Sequence, residues 1–151
     1  MPQPTLIGID IGTSSIKVVA IDFSGEVLAV INTPISLDVP RPGWSEQNPE
    51  DWWSATCIAI RQLLASIEMP EVFGIGLSGQ MHSLVALDAN QQVLRPAILW
   101  NDVRTKVEVN SIREIVGDDA LRRFTGNPSL EGFTATKLMW MRSNEPELYD
   151  R

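Results

Sequence analysis

The chain has 151 residues and a net charge of −7, from 12 Lys and Arg against 19 Asp and Glu, and 44% of its residues are apolar. That is enough to close one compact domain around a core, while scattered basic residues under an acidic balance speak against a nucleic-acid partner. One cysteine and one histidine exclude an intrachain disulfide and a zinc cluster. No run approaches the roughly 20 apolar residues of a membrane span and no basic leader opens the chain, so a cytoplasmic protein is expected.

Residues 6–10 form an apolar run ending in an acid, 12–15 a turn of small residues and 16–22 a second apolar run, which predicts strand, tight turn, strand. After the turn Phe23-Ser24-Gly25-Glu26, the β-branched stretch 27–35 predicts a third strand, so an antiparallel meander opens the fold. Pro40, Pro42 and Gly43 predict an irregular loop over 36–47, anchored by Trp44.

Asn48-Pro49-Glu50-Asp51 reads as a helix start: a capping side chain, a proline where no donor is needed, and two acids against the positive helix end. The helix is expected to run to about residue 67 with Trp52, Ala55, Ala59, Leu63 and Ile67 on one buried face. Cys57, inside the same apolar pattern, is expected in the core.

Beyond Pro70, residues 72–78 and 83–88 predict two strands around Gly79-Gln80-Met81-His82, and 97–100 predicts another. Helical patterns follow over 105–116, 118–124 and 134–143, with a loop at 125–132. The last five residues carry no predicted element, and no repeat or linker divides the chain.

Three constellations carry chemistry. Asp10-Ile11-Gly12-Thr13-Ser14-Ser15 sets a carboxylate at a strand end before a glycine and three hydroxyls, a turn that can offer N–H and O–H groups to phosphate oxygens. Asp10 could hold a water of a phosphate-bound Mg²⁺, and Lys17 could add positive charge near a transferred phosphoryl group if strand alternation turns it that way. An ordinary hairpin turn and a solvated lysine explain the same residues. Neither a P-loop nor a dinucleotide fingerprint is present.

Gly79-Gln80-Met81-His82 presents an amide and an imidazole at a strand end, groups that donate to and accept from the hydroxyls of a polyol, although a lone histidine is also compatible with a structural role. Trp100-Asn101-Asp102-Val103-Arg104 follows a strand, where ligand contacts concentrate, and reads equally as a turn and helix cap.

Strand, Asp-x-Gly-Thr, strand, strand resembles the first phosphate-binding hairpin of the actin-like ATPase fold, also called ribonuclease H-like, shared by sugar kinases, actin and the heat-shock-70 chaperones. Gly79-Gln80-Met81-His82 after a strand is similar to the sugar-binding segment of the FGGY carbohydrate kinase family, above all its bacterial xylulose kinases. The stretch 42–53, with Pro42-Gly43-Trp44 and Asn48-Pro49-Glu50-Asp51-Trp52-Trp53, and the stretches 125–128 and 132–138 resemble the same family. The likeness covers nearly the whole chain.

That resemblance implies an α/β chain forming the first part of the family's N-terminal domain, with a mixed sheet opened by the antiparallel meander and residues 1–151 as a partial domain. It implies phosphoryl transfer from ATP with Mg²⁺ to D-xylulose, with no nucleic-acid or membrane partner. Gly12, Thr13, Ser14 and Lys17 would bind the nucleotide phosphates, Asp10 would hold Mg²⁺ through water, and Gln80, Met81, His82, Asn101 and Asp102 would bind the sugar.

In the family the general base is an aspartate later in the N-terminal domain, beyond residue 151, so the chain alone is expected to be inactive and, with apolar surface uncovered, to self-associate. Ser83 departs from the usual Met-His-Gly and is also seen in gluconate kinases, whereas Gln80 and Asn101 fit xylulose kinases better. A non-catalytic sugar-binding fragment and an actin-like ATPase or chaperone domain are the other readings, the last giving no reason for Gln80-Met81-His82.

Overall fold

The computed structural model describes residues 2–151. It divides the chain into two compact units. One holds the described residues up to Leu37 with Glu50–Gln80, and the other holds Asp38–Pro49 with Met81–Arg151. The polypeptide changes unit at 37/38, 49/50 and 80/81, so no single linker marks the boundary.

The first unit is a four-stranded mixed sheet under one helix. Strands β1 (Gln3–Ile11), β2 (Ser15–Ile21) and β3 (Val27–Pro34) form the expected antiparallel meander. The fourth neighbour in the sheet is a later strand, Pro70–Gly79, called β5 below, which lies parallel to β1 so that the order is β3-β2-β1-β5. Parallel pairing needs a long connection, and helix α1 (Pro49–Ala65) lies within it.

Alternation decides which face of the sheet is covered. Thr5, Ile7 and Ile9 of β1 and Ile16, Val18 and Ala20 of β2 are buried, and together with Ala55, Ala59, Leu63 and Ile67 the apolar members form one core. Two alanines facing the sheet let the helix approach it closely. Trp52 is only half-buried and Cys57 is half-buried too, which corrects both core expectations: on this helix Thr56 takes the buried position beside Ala55 and satisfies its hydroxyl on the Trp52 carbonyl at 2.7 Å. Ile16 is fully buried, and Ile16→Val should cost about 0.5–1.5 kcal/mol, read from the shift of the urea midpoint at unchanged slope.

The second unit is mainly helical. Its strands β4 (Glu46–Gln47) and β6 (Ala97–Ile98) are two residues each and pair antiparallel. Residues 83–88 are not the expected strand: only the isolated bridges Leu84 to Ile98 and Leu87 to Val93 occur there, because Asp88 closes a tight turn on the amides of Asn90 and Gln92. Helices α2 (Lys106–Val116), α3 (Asp118–Thr125) and α4 (Thr134–Asn144) follow the predicted spans closely, while α5 (Pro146–Tyr149) was not expected. Its turn begins at a proline, whose fixed φ suits the first helical position. Leu84, Ile98, Trp140 and Met141 form the core, with Trp44 from the proline-rich loop edge-on to Trp140 at 5.4 Å, as its anchoring role required. No helix among the described residues is long and apolar enough to cross a membrane.

Candidate functional site

In the first unit, the sheet face opposite α1 is open. Asp10 and Lys17 are directly paired across β1 and β2, and Asp10 is paired with Ser78 on its other side. Directly opposed residues share a face, so the three side chains project together. They line a groove of about 330 Å³ with Gly8, Val19 and Gly76. Strand pairing therefore turns Lys17 to the same side of the sheet as Asp10.

The hairpin between β1 and β2 is tight. The Gly12 amide donates to the Ser15 carbonyl at 3.1 Å, and a Cβ on Gly12 would sit 3.0 Å from that same oxygen. Ile35 donates its amide to the Ser14 carbonyl at 3.1 Å, fixing the turn from the end of β3. The end of β5 is tied to this hairpin twice: the Gln80 amide donates to the Ile11 carbonyl at 2.9 Å, and the Thr13 hydroxyl donates to Gln80 Oε1 at 3.3 Å. Asp10, Gly12, Thr13, Ser14, Lys17 and Gln80 thus belong to one strand-end cluster of this unit.

In the second unit, Met81 is 69% exposed and His82 is exposed in the left-handed region at φ 67°. A non-glycine residue there costs about 1–2 kcal/mol and persists only where its surroundings hold it. What holds it is the start of α4. Lys137 donates its ammonium to the His82 carbonyl at 2.8 Å and also to the Gly132 carbonyl, Thr134 donates its hydroxyl to the His82 carbonyl at 3.2 Å, and the Phe133 ring lies 4.8 Å from the imidazole.

Lys137 is fully buried. Burial pushes its ammonium down from the ordinary 10.5 to about 8; the Asp102 carboxylate opposes that shift and the Arg104 guanidinium adds to it. Gly132 is required as glycine, since a Cβ there would lie 2.6 Å from the Trp100 carbonyl.

Asn101 is exposed and free to meet a ligand, but Asp102 is fully buried, which corrects its expected sugar contact. Its carboxylate accepts from the Ser45 amide at 2.7 Å, from the Arg104 amide and Nε at 2.9 Å each, and from Arg104 Nη2 at 2.7 Å. The charge shapes the loop rather than being displayed by it. Arg104 pairs in turn with Glu46 at 2.7 Å and lies 3.6 Å over the Trp44 ring. Arg95 bridges the same Glu46 and Glu145.

Lys137, Thr134 and Gly132 escaped the residue-level reading. The available signal was a lysine beside Thr136, Trp140 and Met141 on the buried side of α4, where a charge needs a partner.

Residues 5–151 match the N-terminal domain of the FGGY family of carbohydrate kinases. The chain belongs to that family. It is 45% identical over 143 residues to the xylulose kinase of Escherichia coli strain K12, covering 95% of this chain and 29% of that protein. Among solved structures, the xylulose kinase from Rhodospirillum rubrum superposes with a TM-score of 0.94 at 32% identity, over 97% of this chain and 30% of that one. The gluconate kinase from Lactobacillus acidophilus superposes with a TM-score of 0.92 at 27% identity, over 99% and 30%. The chain therefore has the actin-like ATPase fold of these kinases and spans about three-tenths of the length of the curated relatives it matches.

Proposed function

We propose that this chain carries the phosphate-binding hairpin and the sugar-binding loop of an ATP-dependent xylulose kinase, which transfers a phosphoryl group from ATP to the terminal hydroxyl of D-xylulose. The observation that carries the reading is the double tie between Thr13 or Ile11 and Gln80. It fixes Gln80, one of the residues proposed to bind the sugar, against the hairpin suited to phosphate. The 45% identity to a xylulose kinase supports the choice of sugar.

In this reading Gly12, Thr13 and Ser14 cradle phosphate oxygens, Lys17 offsets their charge, and Met81, His82 and Asn101 grip the ketose. Asp10 would hold Mg²⁺ through water. The donor set fits such an ion: Asp10 is a single exposed carboxylate, and no group of three metal-ligating side chains occurs among the described residues, which suits an ion held mainly by phosphate and water. When bound, Mg²⁺ neutralises charge developing on the phosphates. No residue of this chain is assigned as general base, so the chain alone is inactive in this proposal.

The open edge of β5, with Phe73, Ile75 and Leu77 exposed, supports self-association of the chain. Ser83 after His82 and the likeness to a gluconate kinase favour gluconate as the second reading.

Calorimetric titration with D-xylulose, D-ribulose and D-gluconate distinguishes the sugars. The expected result is binding of xylulose that His82→Ala removes, with no sugar-dependent ADP when ATP and Mg²⁺ are added. Preference for gluconate would move the assignment to the second reading, sugar-dependent ADP would overturn inactivity, and silence toward all three sugars would overturn the sugar-binding role.

A further inference from the structure

One ammonium in the second unit serves two loops at once. Lys137 rises from the second turn of α4 and donates to the carbonyls of His82 and Gly132. Gly132 lies against the Trp100 carbonyl, so the segment that precedes α4 is also seated on the loop carrying Asn101.

Helix α4 has Phe133 as its N-cap residue with no side-chain cap, and its first turn spends Thr134 on the His82 carbonyl rather than on its own free amides. Thr136 is buried and donates to the Phe133 carbonyl at 2.8 Å while accepting from Thr105 at 3.2 Å, which locks the segment that Lys137 grips. A carbonyl accepting from both an ammonium and a hydroxyl is fixed in direction, and a fixed carbonyl fixes the peptide plane between His82 and Ser83.

The geometry points to Lys137 as a positioning residue for the sugar loop: by holding the His82 and Gly132 carbonyls together it sets the left-handed backbone at His82 and thereby the placement of the imidazole. A neutral residue of the same length would fill the space yet release both carbonyls. Burial supports this assignment, since an ammonium shut away from water stays charged only where oxygens surround it. The groups that bear on its charge are Asp102, which favours the proton, and Arg104, which opposes it.

The inference takes the meaning of His82 from the proposed sugar kinase, but its test needs no sugar. In labelled chain, the Cα and Cβ shifts and the amide coupling of His82 report φ directly. Lys137→Met is expected to abolish the left-handed signature of His82 while Leu84 and Ile98 keep their folded shifts, and an unchanged His82 signature would overturn the inference.

Should Lys137→Met not fold, the wild-type chain decides. The carbonyl resonances of His82 and Gly132 are expected to titrate together with Lys137 Nζ. Carbonyls that stay flat while Nζ titrates would overturn it. Sugar titration forms a separate arm: Lys137→Met is expected to weaken xylulose affinity about tenfold or more, as loss of a positioned charge-assisted contact does. If the wild type binds no sugar while the His82 signature depends on Lys137, the kinase reading fails and the positioning of His82 stands.

Discussion

Arg104→Met is expected to destabilise the second unit by about 3–5 kcal/mol, the cost of breaking a buried pair from one side. The arginine side chain is 1% exposed and Asp102 is 0% exposed, so removing the guanidinium strands a carboxylate that water cannot reach. Two hydrogen bonds from Nε and Nη2 to Asp102 disappear, along with the pairing to Glu46 and the contact 3.6 Å over Trp44. Arg95 still partners Glu46, so the uncompensated charge falls on Asp102.

The measurement is urea unfolding followed by tryptophan fluorescence, because Trp44 and Trp140 both lie beside the guanidinium. A double variant, Arg104→Met with Asp102→Leu, should recover much of the loss, since replacing both charges removes the penalty that replacing one creates. A loss below about 1 kcal/mol for Arg104→Met would show that the pair is hydrated and that the loop is held by other means.

The second large effect concerns pH. Lys137 ionises at about 8 in the folded chain against 10.5 ordinarily. Between those values the unfolded chain carries a proton on this residue that the folded chain has lost, so stability rises with pH across that window. The gain integrates to on the order of 3 kcal/mol at most, and it is complete once pH passes the unfolded value. Below pH 8 both states hold the proton and the burial penalty is felt in full. Urea midpoints measured from pH 7 to 11 should climb in the wild type. In Lys137→Met the component due to this residue is absent, so the difference between the wild-type and variant curves should change across this window in favour of the wild type as pH rises. Parallel curves would mean that the two carbonyls compensate burial completely and that the ammonium ionises near its ordinary value.

Both effects arise where charge is buried in the second unit, and neither belongs to the hairpin that first suggested phosphate chemistry. This separates two kinds of residue in the candidate site. Asp10, Lys17, Ser14 and Met81 are exposed and available to a ligand, and their substitution should cost little stability. Asp102, Arg104 and Lys137 are inside, and they act by shaping the loops of the second unit that carry Met81, His82 and Asn101.

Local chemistry was sufficient for the meander, for α1 to α4 and for the hairpin at 12–15, because each depends on contacts a few residues apart: alternation, capping and turn preference. Ala55, Ala59, Leu63 and Ile67 were assigned to the core from spacing alone and are buried. The stretch 83–88 has the composition of a strand but meets its neighbours only at the isolated bridges of Leu84 to Ile98 and Leu87 to Val93, and pairing is a property of the neighbour.

The hairpin's Asp10-Ile11-Gly12-Thr13 and the loop's Gln80-Met81-His82 were legible as candidate site residues from sequence, since residue type and strand-end position suffice to nominate them. Sequence could not say that Asp102 would turn inward to meet Ser45, 57 positions away, or that Lys137 would reach back 55 positions to the His82 carbonyl. Those outcomes rest on which backbone groups the fold leaves buried near a charge, and desolvation compels the pairing only after the chain has closed. The residues that offer chemistry to a ligand were thus determined by the sequence by itself, and the residues that aim them were decided by tertiary structure.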